Sequence, residues 1–264
     1  REPDAIIGSF AADHVINPVD EFQRVVTEAV ITAASGKIVT IGITPTEPSS
    51  AFGYIRACTP LGLAHAPNAL AVESFVEKPD SETAQKYLDS GDYTWNAGMF
   101  VAPVSLMLQH LEKNEPELYA GVMKIAKAWD TPERESIMEQ TWGTLPKTAI
   151  DYAVAEPAAA AGDVAMVPGS FSWDDVGDFD AVARLNQEKH GEGLTILGDE
   201  DNVINQGCSG IVVANSNRKI SVIGLDDIVV VDTPDALLVA PREQAQAVKD
   251  TVAELKDRGL ADLL

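Results

Sequence analysis

Two adjacent carboxylates, Asp174 and Asp175, end an apolar run in the stretch Phe171-Ser-Trp-Asp-Asp-Val-Gly-Asp-Phe179. The stretch reads as a short strand closed by acid, then a glycine, then a helix from Asp178. An aromatic strand needs no acid at its end in order to fold, so this pair asks for a reason. In open α/β sheets, ligands sit beyond the carboxyl ends of the strands. A carboxylate there can hold a hard cation against the phosphates of a substrate. The competing reading is that one of the two acids only caps the following helix, a frequent use of Asp.

Other strand ends also carry polar chemistry. Ala71–Pro79 closes in Glu77-Lys78-Pro79, where the proline blocks continuation of the strand and leaves a carboxylate beside an ammonium. Asn96 opens the strand Tyr93–Ala102 among small residues. Its amide both donates and accepts, which suits sugar hydroxyls, although Asn is also a common turn residue. Gly53 stands between Phe52 and Tyr54, where a missing side chain either lets a ligand approach the backbone or marks a bulge. Asp13-His14 lies near the start, beside an expected sheet edge.

The elements that must position these residues follow an α/β pattern. Ala5–Ile7 predicts a buried strand. Phe22, Val25, Val26, Ala29, Val30 and Ala33 recur at helical spacing after Asn17-Pro18, which predicts a helix with Pro at its first position. Gly36 ends it, and Lys37–Ile43 predicts a strand, the helix–strand alternation of an α/β domain. Ser81–Leu88 is a short expected helix. Residues 103–142 are helical, with their periodic Leu, Met and Trp residues assigned to the core. Thr148–Glu156 reads as another short helix with acids near both ends, Ala158–Gly162 as a small-residue loop, and Val164–Pro168 as a strand. From Gly191 short β segments separated by Gly, Asn and Asp take over, ending in a helix over Glu243–Arg258. The expected division is 1–190 and 191–264, the second part a small β-roll without evident chemistry, suited to an oligomer contact.

Composition narrows the function. The chain has 264 residues, 45% of them hydrophobic, and a formal net charge of −22. That charge argues against a nucleic-acid partner, because backbone phosphates are met by clustered Lys and Arg. A phosphorylated substrate must then be held by a metal, a few placed cations or helix N-termini. There is no run of 18 apolar residues and no signal-peptide pattern at Arg1-Glu-Pro-Asp-Ala. The two cysteines, Cys58 and Cys208, build neither a disulfide framework nor a zinc cluster. The expectation is a soluble, cytoplasmic protein with no membrane partner.

Taken together, Ala-Ala-Asp-His-Val-Ile, Phe-Gly-Tyr-Ile, Val-Glu-Lys-Pro, Trp-Asn-Ala-Gly-Met-Phe and Ser-Trp-Asp-Asp-Val-Gly resemble the sugar-1-phosphate nucleotidyltransferases. The C-terminal Ile223-Gly-Leu-Asp-Asp-Ile-Val-Val-Val-Asp-Thr-Pro-Asp-Ala-Leu-Leu-Val is similar to the same family's tail. The resemblance implies a Rossmann-like α/β catalytic domain, a mixed sheet flanked by helices, followed by a small β-roll or β-helix-like domain. It also implies transfer of GMP from GTP to mannose 1-phosphate, forming GDP-mannose and pyrophosphate, with Mg²⁺ as cofactor; the β-rich appendage, separately, suits a homodimer. On this resemblance Asp13 and Asp175 are the metal ligands, with Asp174 behind them or facing solvent. Lys78 holds the sugar phosphate, Glu77 and Asn96 read sugar hydroxyls, and the backbone of Gly53 approaches the sugar. His14 receives no role. Family members begin with a glycine-rich loop that carries an Arg and a Lys and cradles the triphosphate. No segment here matches it, so the resemblance places that loop upstream of Arg1. Two alternatives stay open: a non-catalytic sugar-nucleotide-binding or regulatory paralogue, and transfer to another hexose 1-phosphate.

Overall fold

All six residues of the run Ile38–Ile43 are buried, which is why it reads as near-continuous apolar sequence rather than as an alternation. The protein is described by a computed structural model covering residues 2, 5–177, 179–190 and 193–263. The chain divides into two compact units, Arg1–Trp173 and Asp174–Leu264.

The first unit opens with β1 (Ile6–Ser9), β2 (Val15–Asn17), α1 (Val19–Ala34) and β3 (Ile38–Ile43). β4 (Gly53–Pro60), β5 (Leu70–Val76), α2 (Ser81–Ser90) and β6 (Tyr93–Pro103) follow. Next come α3 (Val104–Asn114), α4 (Pro116–Ala128) and α5 (Arg134–Trp142). A π-helical turn, Asp151–Ala155, runs into α6 (Glu156–Ala160), and β7 (Val164–Gly169) precedes β8 (Ser172–Asp174). Six of these strands make one mixed sheet in the order β1-β6-β3-β7-β5-β4. β3 runs parallel to β7 and antiparallel to β6, and β4 also pairs with β6, with Gly53 opposite Asn96.

Helices cover both faces of this sheet. Val25, Ala29 and Ala33 of α1 pack with Val39, Ile41, Val101 and Val167 on one face. On the other, Ala153, Val154, Ala155 and Ala158 pack with Ile38, Ile55, Phe75 and Phe100. Complete burial of each Val, Ile or Phe contributes about 1.5–3 kcal/mol, so the sheet is a firm base for what its strand ends carry.

Several expectations change. β1 is the edge of the sheet rather than a buried strand, and Ile7 is 44% exposed. Pro18 is the N-cap of α1, one position before the first helical residue. Ala158–Ala160 belong to α6, not to a loop. Trp129 and Trp142, assigned to the core by period, are exposed. Helical spacing shows that a face is apolar, not that something covers it.

The second unit begins with α7 (Phe179–His190); Asp178, its expected first residue, lies outside the described residues, as do 191 and 192 at the expected division. β9 (Leu194–Gly198), β10 (Val203–Gln206), β11 (Gly210–Ala214), β12 (Ile220–Ile223), β13 (Ile228–Asp232) and β14 (Leu237–Pro241) follow. β9, β11 and β13 stack in parallel, β10 pairs in parallel with β12, and β14 closes antiparallel to β13. The chain thus climbs as a coil, with Val212, Val222, Ile228 and Val230 inside. Gly210 makes one layer contact possible: at φ +116, an added Cβ would lie 2.1 Å from the Ile228 carbonyl oxygen. A 3₁₀ stretch, Arg242–Ala247, leads into α8 (Val248–Asp257). Among the described residues no helix is long and apolar enough to cross a membrane.

Candidate active site

The residues that the sequence singles out at Glu77-Lys78 and Asn96 converge in the first unit. Glu77 follows the last residue of β5, and its side chain is only 7% exposed, whereas that of Lys78 is 57% exposed. Lys78 takes a left-handed backbone, φ +46, a conformation that costs a non-glycine residue about 1–3 kcal/mol. The turn presents the ammonium outward while its Nζ stays 3.1 Å from Glu77 Oε1.

Two further carboxylates close in from the π turn. Asp151 Oδ1 accepts a hydrogen bond from Asn96 Nδ2 at 3.0 Å. Glu156 Oε1 accepts one from the Glu77 backbone N–H at 2.9 Å. Asn96 is buried and committed at both ends of its amide, since its Oδ1 also accepts from Thr40 Oγ1 at 2.6 Å and from Gly98 N at 3.2 Å. Its clearest structural task is to hold Asp151. Glu77 Oε2 is buried without a hydrogen-bond partner. Burial first, and then the charge of Asp151, push the Glu77 carboxyl above its ordinary range, against the pull of Lys78. The hydrogen bond to Glu77 in turn holds the Lys78 ammonium above the usual lysine range.

Gly53 explains how the carboxylate fits. A Cβ there would lie 2.4 Å from Glu77 Oε2, so what the missing side chain admits in this structure is Glu77 itself. The register shifts of the β4–β5 pair fall at Arg56–Thr59, not at Gly53.

Asp151 and Glu156 are visible in the sequence only as acids near both ends of an expected α-helix. In an α-helix, residues five apart stand about 140° apart around the axis. The wider π turn closes on the i, i+5 spacing instead; here the Glu156 N–H bonds the Asp151 carbonyl, and both acids reach the β5–β6 strand ends. Local sequence carries no strong signal for that switch.

The acidic end of β8 sorts its two carboxylates. Asp174 is buried, its Oδ1 accepting from Val176 N at 2.8 Å and its Oδ2 from Arg184 Nη2 at 2.5 Å. It neither faces solvent nor caps α7; it closes a turn over Asp175. Val176 has φ +46, rare for a β-branched residue. Asp175 is half-buried and has a partner of its own. Asp13 is exposed in the first unit, while His14 Nδ1 accepts from Trp173 Nε1 at 3.2 Å with the two rings edge to face. His14 is thereby used in packing.

Among the described residues no group of three or more His, Cys, Asp and Glu is arranged to hold a metal. Mg²⁺ needs only one or two protein carboxylates when substrate phosphates and water complete its shell. Asp13, in the first unit, and Asp175, in the second, each carry a carboxylate of the kind such an ion takes.

Residues 1–192 match the family model described as Nucleotidyl transferase, and 201–255 match one described as MannoseP isomerase/GMP-like beta-helix domain. The xanthan biosynthesis protein XanB of Xanthomonas campestris pv. campestris is 38% identical over 263 residues, covering 98% of this chain and 53% of that protein. A mannose-1-phosphate guanylyltransferase of Escherichia coli is 36% identical over 260 residues, covering 98% and 53%. A crystal structure described as mannose-1-phosphate geranyltransferase from Thermus thermophilus matches with a TM-score of 0.76 at 28% identity, over 95% of this chain and 70% of that one. The chain spans about half the length of the curated relatives it matches. These matches bear out the expected Rossmann-like α/β fold with a C-terminal β-helix-like domain.

Proposed function

The chain belongs to the nucleotidyl transferase family, and from that premise we propose that its protein transfers GMP from GTP to mannose 1-phosphate. A phosphate oxygen of mannose 1-phosphate attacks the α-phosphorus of GTP in line. The new O–Pα bond gives GDP-mannose, and the bond from Pα to the bridging oxygen breaks as pyrophosphate leaves.

One observation carries the reading: an exposed Lys78 ammonium, presented by a left-handed turn and anchored on a buried carboxylate. An ammonium is a compact point charge suited to phosphate, and here it would hold the sugar phosphate. Glu77, and Asn96 through the second Nδ2 hydrogen that it does not give to Asp151, are the proposed readers of the sugar hydroxyls, and the Gly53 backbone borders the same place. Asp13 and Asp175 are the proposed carboxylate ligands of Mg²⁺, an assignment that rests on their sequence motifs. When bound, the cation would neutralise charge on the phosphates. Catalysis in such a site is positioning and electrostatic stabilisation. Guanine and mannose are drawn from the names of the relatives, and a cytoplasmic setting from the sequence pattern.

The test is pyrophosphate release by the intact protein, with GTP set against UTP and mannose 1-phosphate against glucose 1-phosphate, with and without Mg²⁺. The reading expects release that needs GTP, mannose 1-phosphate and the cation together. Equal release with glucose 1-phosphate would overturn the sugar assignment. Binding of GDP-mannose with no release from any pair would make the protein a sugar-nucleotide-binding paralogue.

A further inference from the structure

We propose that Arg184 is a positioning residue for Asp175, acting through Asp174; the proposal rests on the reading of Asp175 as a cation ligand. Every group in the argument lies in the second unit. Asp174 is an acid with an 8% exposed side chain, and a buried carboxylate needs a partner for its charge. Arg184, ten residues on and in α7, supplies it by donating Nη2 to Asp174 Oδ2 at 2.5 Å. The other carboxylate oxygen of Asp174 accepts the Val176 N–H. That bond arches over Asp175 and fixes the backbone from which its side chain projects. Val176, at φ +46, is the residue that would relax if the arch opened.

Arg184 is itself held from behind. Its Nη1 donates to Asp180 Oδ2 at 2.9 Å, and Asp180 Oδ1 accepts from Arg242 Nε at 2.6 Å. Arg242 also donates its backbone N–H to the Asp227 carbonyl at 2.7 Å and Nη1 to Asp227 Oδ1 at 3.2 Å. Alternating charges thus run from the β13–β14 end of the coil to the acidic end of β8. Arg184 has two effects there. It locks the turn, and it neutralises Asp174, which would otherwise stand as a second, competing negative charge beside Asp175. The β-helix-like domain thereby acquires a part in the chemistry, as the anchor of this chain of ion pairs.

The experiment compares Arg184→Met, Arg184→Lys, the double variant Asp174→Asn with Arg184→Met, and Asp175→Asn in the intact protein. Two readouts are taken: the Mg²⁺ concentration for half-maximal pyrophosphate release, and amide hydrogen exchange at Val176 without metal or substrate. Loss of a group behind a metal ligand typically weakens metal affinity about 10–100-fold. Arg184→Met is expected to raise the Mg²⁺ requirement about tenfold, with the rate at saturating Mg²⁺ changed far less, and to speed Val176 exchange. Arg184→Lys recovers part of both. The double variant recovers most of the Mg²⁺ requirement, because the amide oxygen introduced by Asp174→Asn still accepts the Val176 N–H and no unpaired charge remains. Wild-type Mg²⁺ requirement and wild-type Val176 exchange in Arg184→Met would overturn the proposal alone. A wild-type Mg²⁺ requirement in Asp175→Asn overturns the metal reading beneath it.

Discussion

The end of β5 and the end of β8 use similar residues to opposite effect. Each is acidic and turns through a non-glycine residue in the left-handed region, Lys78 in one and Val176 in the other. At β5, the carboxylates of Glu77 and Asp151 act on the one ammonium of Lys78, that of Glu156 acts on Glu77, and Glu77 Oε2 has no donor. At β8, the buried acid is satisfied twice, by Val176 N and by Arg184, and Arg184 is braced by Asp180 and Arg242. The first place is short of partners for its charges. The second has paired one acid completely and set the next one beside it. Incomplete pairing at the β5 end supports the proposed ligand contact there, because buried polar groups are otherwise hydrogen-bonded. On the proposed reading, complete pairing at Asp174 leaves its neighbour Asp175 as the residue that meets the cation.

Substitution should split the two places by kind of effect. Asp175→Asn is expected to have the largest. A cation ligand supplies several kcal/mol of charge stabilisation, so Mg²⁺-dependent turnover should fall roughly a thousandfold or more while the thermal midpoint holds. Turnover near wild type would remove Asp175 from the site and leave the β8 end purely structural. Lys78→Ala comes next. A hydrogen bond to a charged group contributes about 1.5–3 kcal/mol, so the KM for mannose 1-phosphate should rise roughly ten- to a hundredfold, with the KM for GTP moving much less. Equal rises for both substrates would mean that Lys78 does not distinguish the sugar phosphate from the triphosphate.

How much of this is legible in the sequence depends on whether a feature is local. β3 and β7, apolar throughout, and the β segments after residue 194 can be read directly, because side-chain period and turn residues are local properties. So can Glu77 and Lys78, which follow the end of β5, whereas Asn96 lies inside β6 and does not open it as its sequence context suggests. Asp151 and Glu156 cannot, because their convergence depends on a π turn that competes closely with an α-helix. Gly53 stands out in the sequence as a ligand approach or a bulge, but the group its missing side chain admits is Glu77, on the neighbouring strand's extension. The ranking of Asp174 and Asp175 rests on family resemblance; its physical cause, the Arg184 ion pair, is a tertiary contact. Trp129 and Trp142 are misplaced by their spacing because period reports a face and not its neighbour.

The smallest expected effect separates charge from shape at Glu77. Its carboxyl lies above the ordinary value of 4.5 because burial and Asp151 disfavour the anion. The folded state therefore binds this proton more tightly than the unfolded chain does. By linkage, stability falls with rising pH wherever the folded state holds more protons. The contribution is complete below about pH 4.5 and is lost as pH rises through the folded value. Glu77→Gln keeps the shape and cannot ionise, so its stability should fall less steeply than wild type over the range just above that pH, as read by urea unfolding at matched ionic strength. Parallel profiles for wild type and Glu77→Gln would mean that the Glu77 carboxylate is compensated in the folded state, and the contrast between the two strand ends would then lie in Lys78 and Asp175 alone.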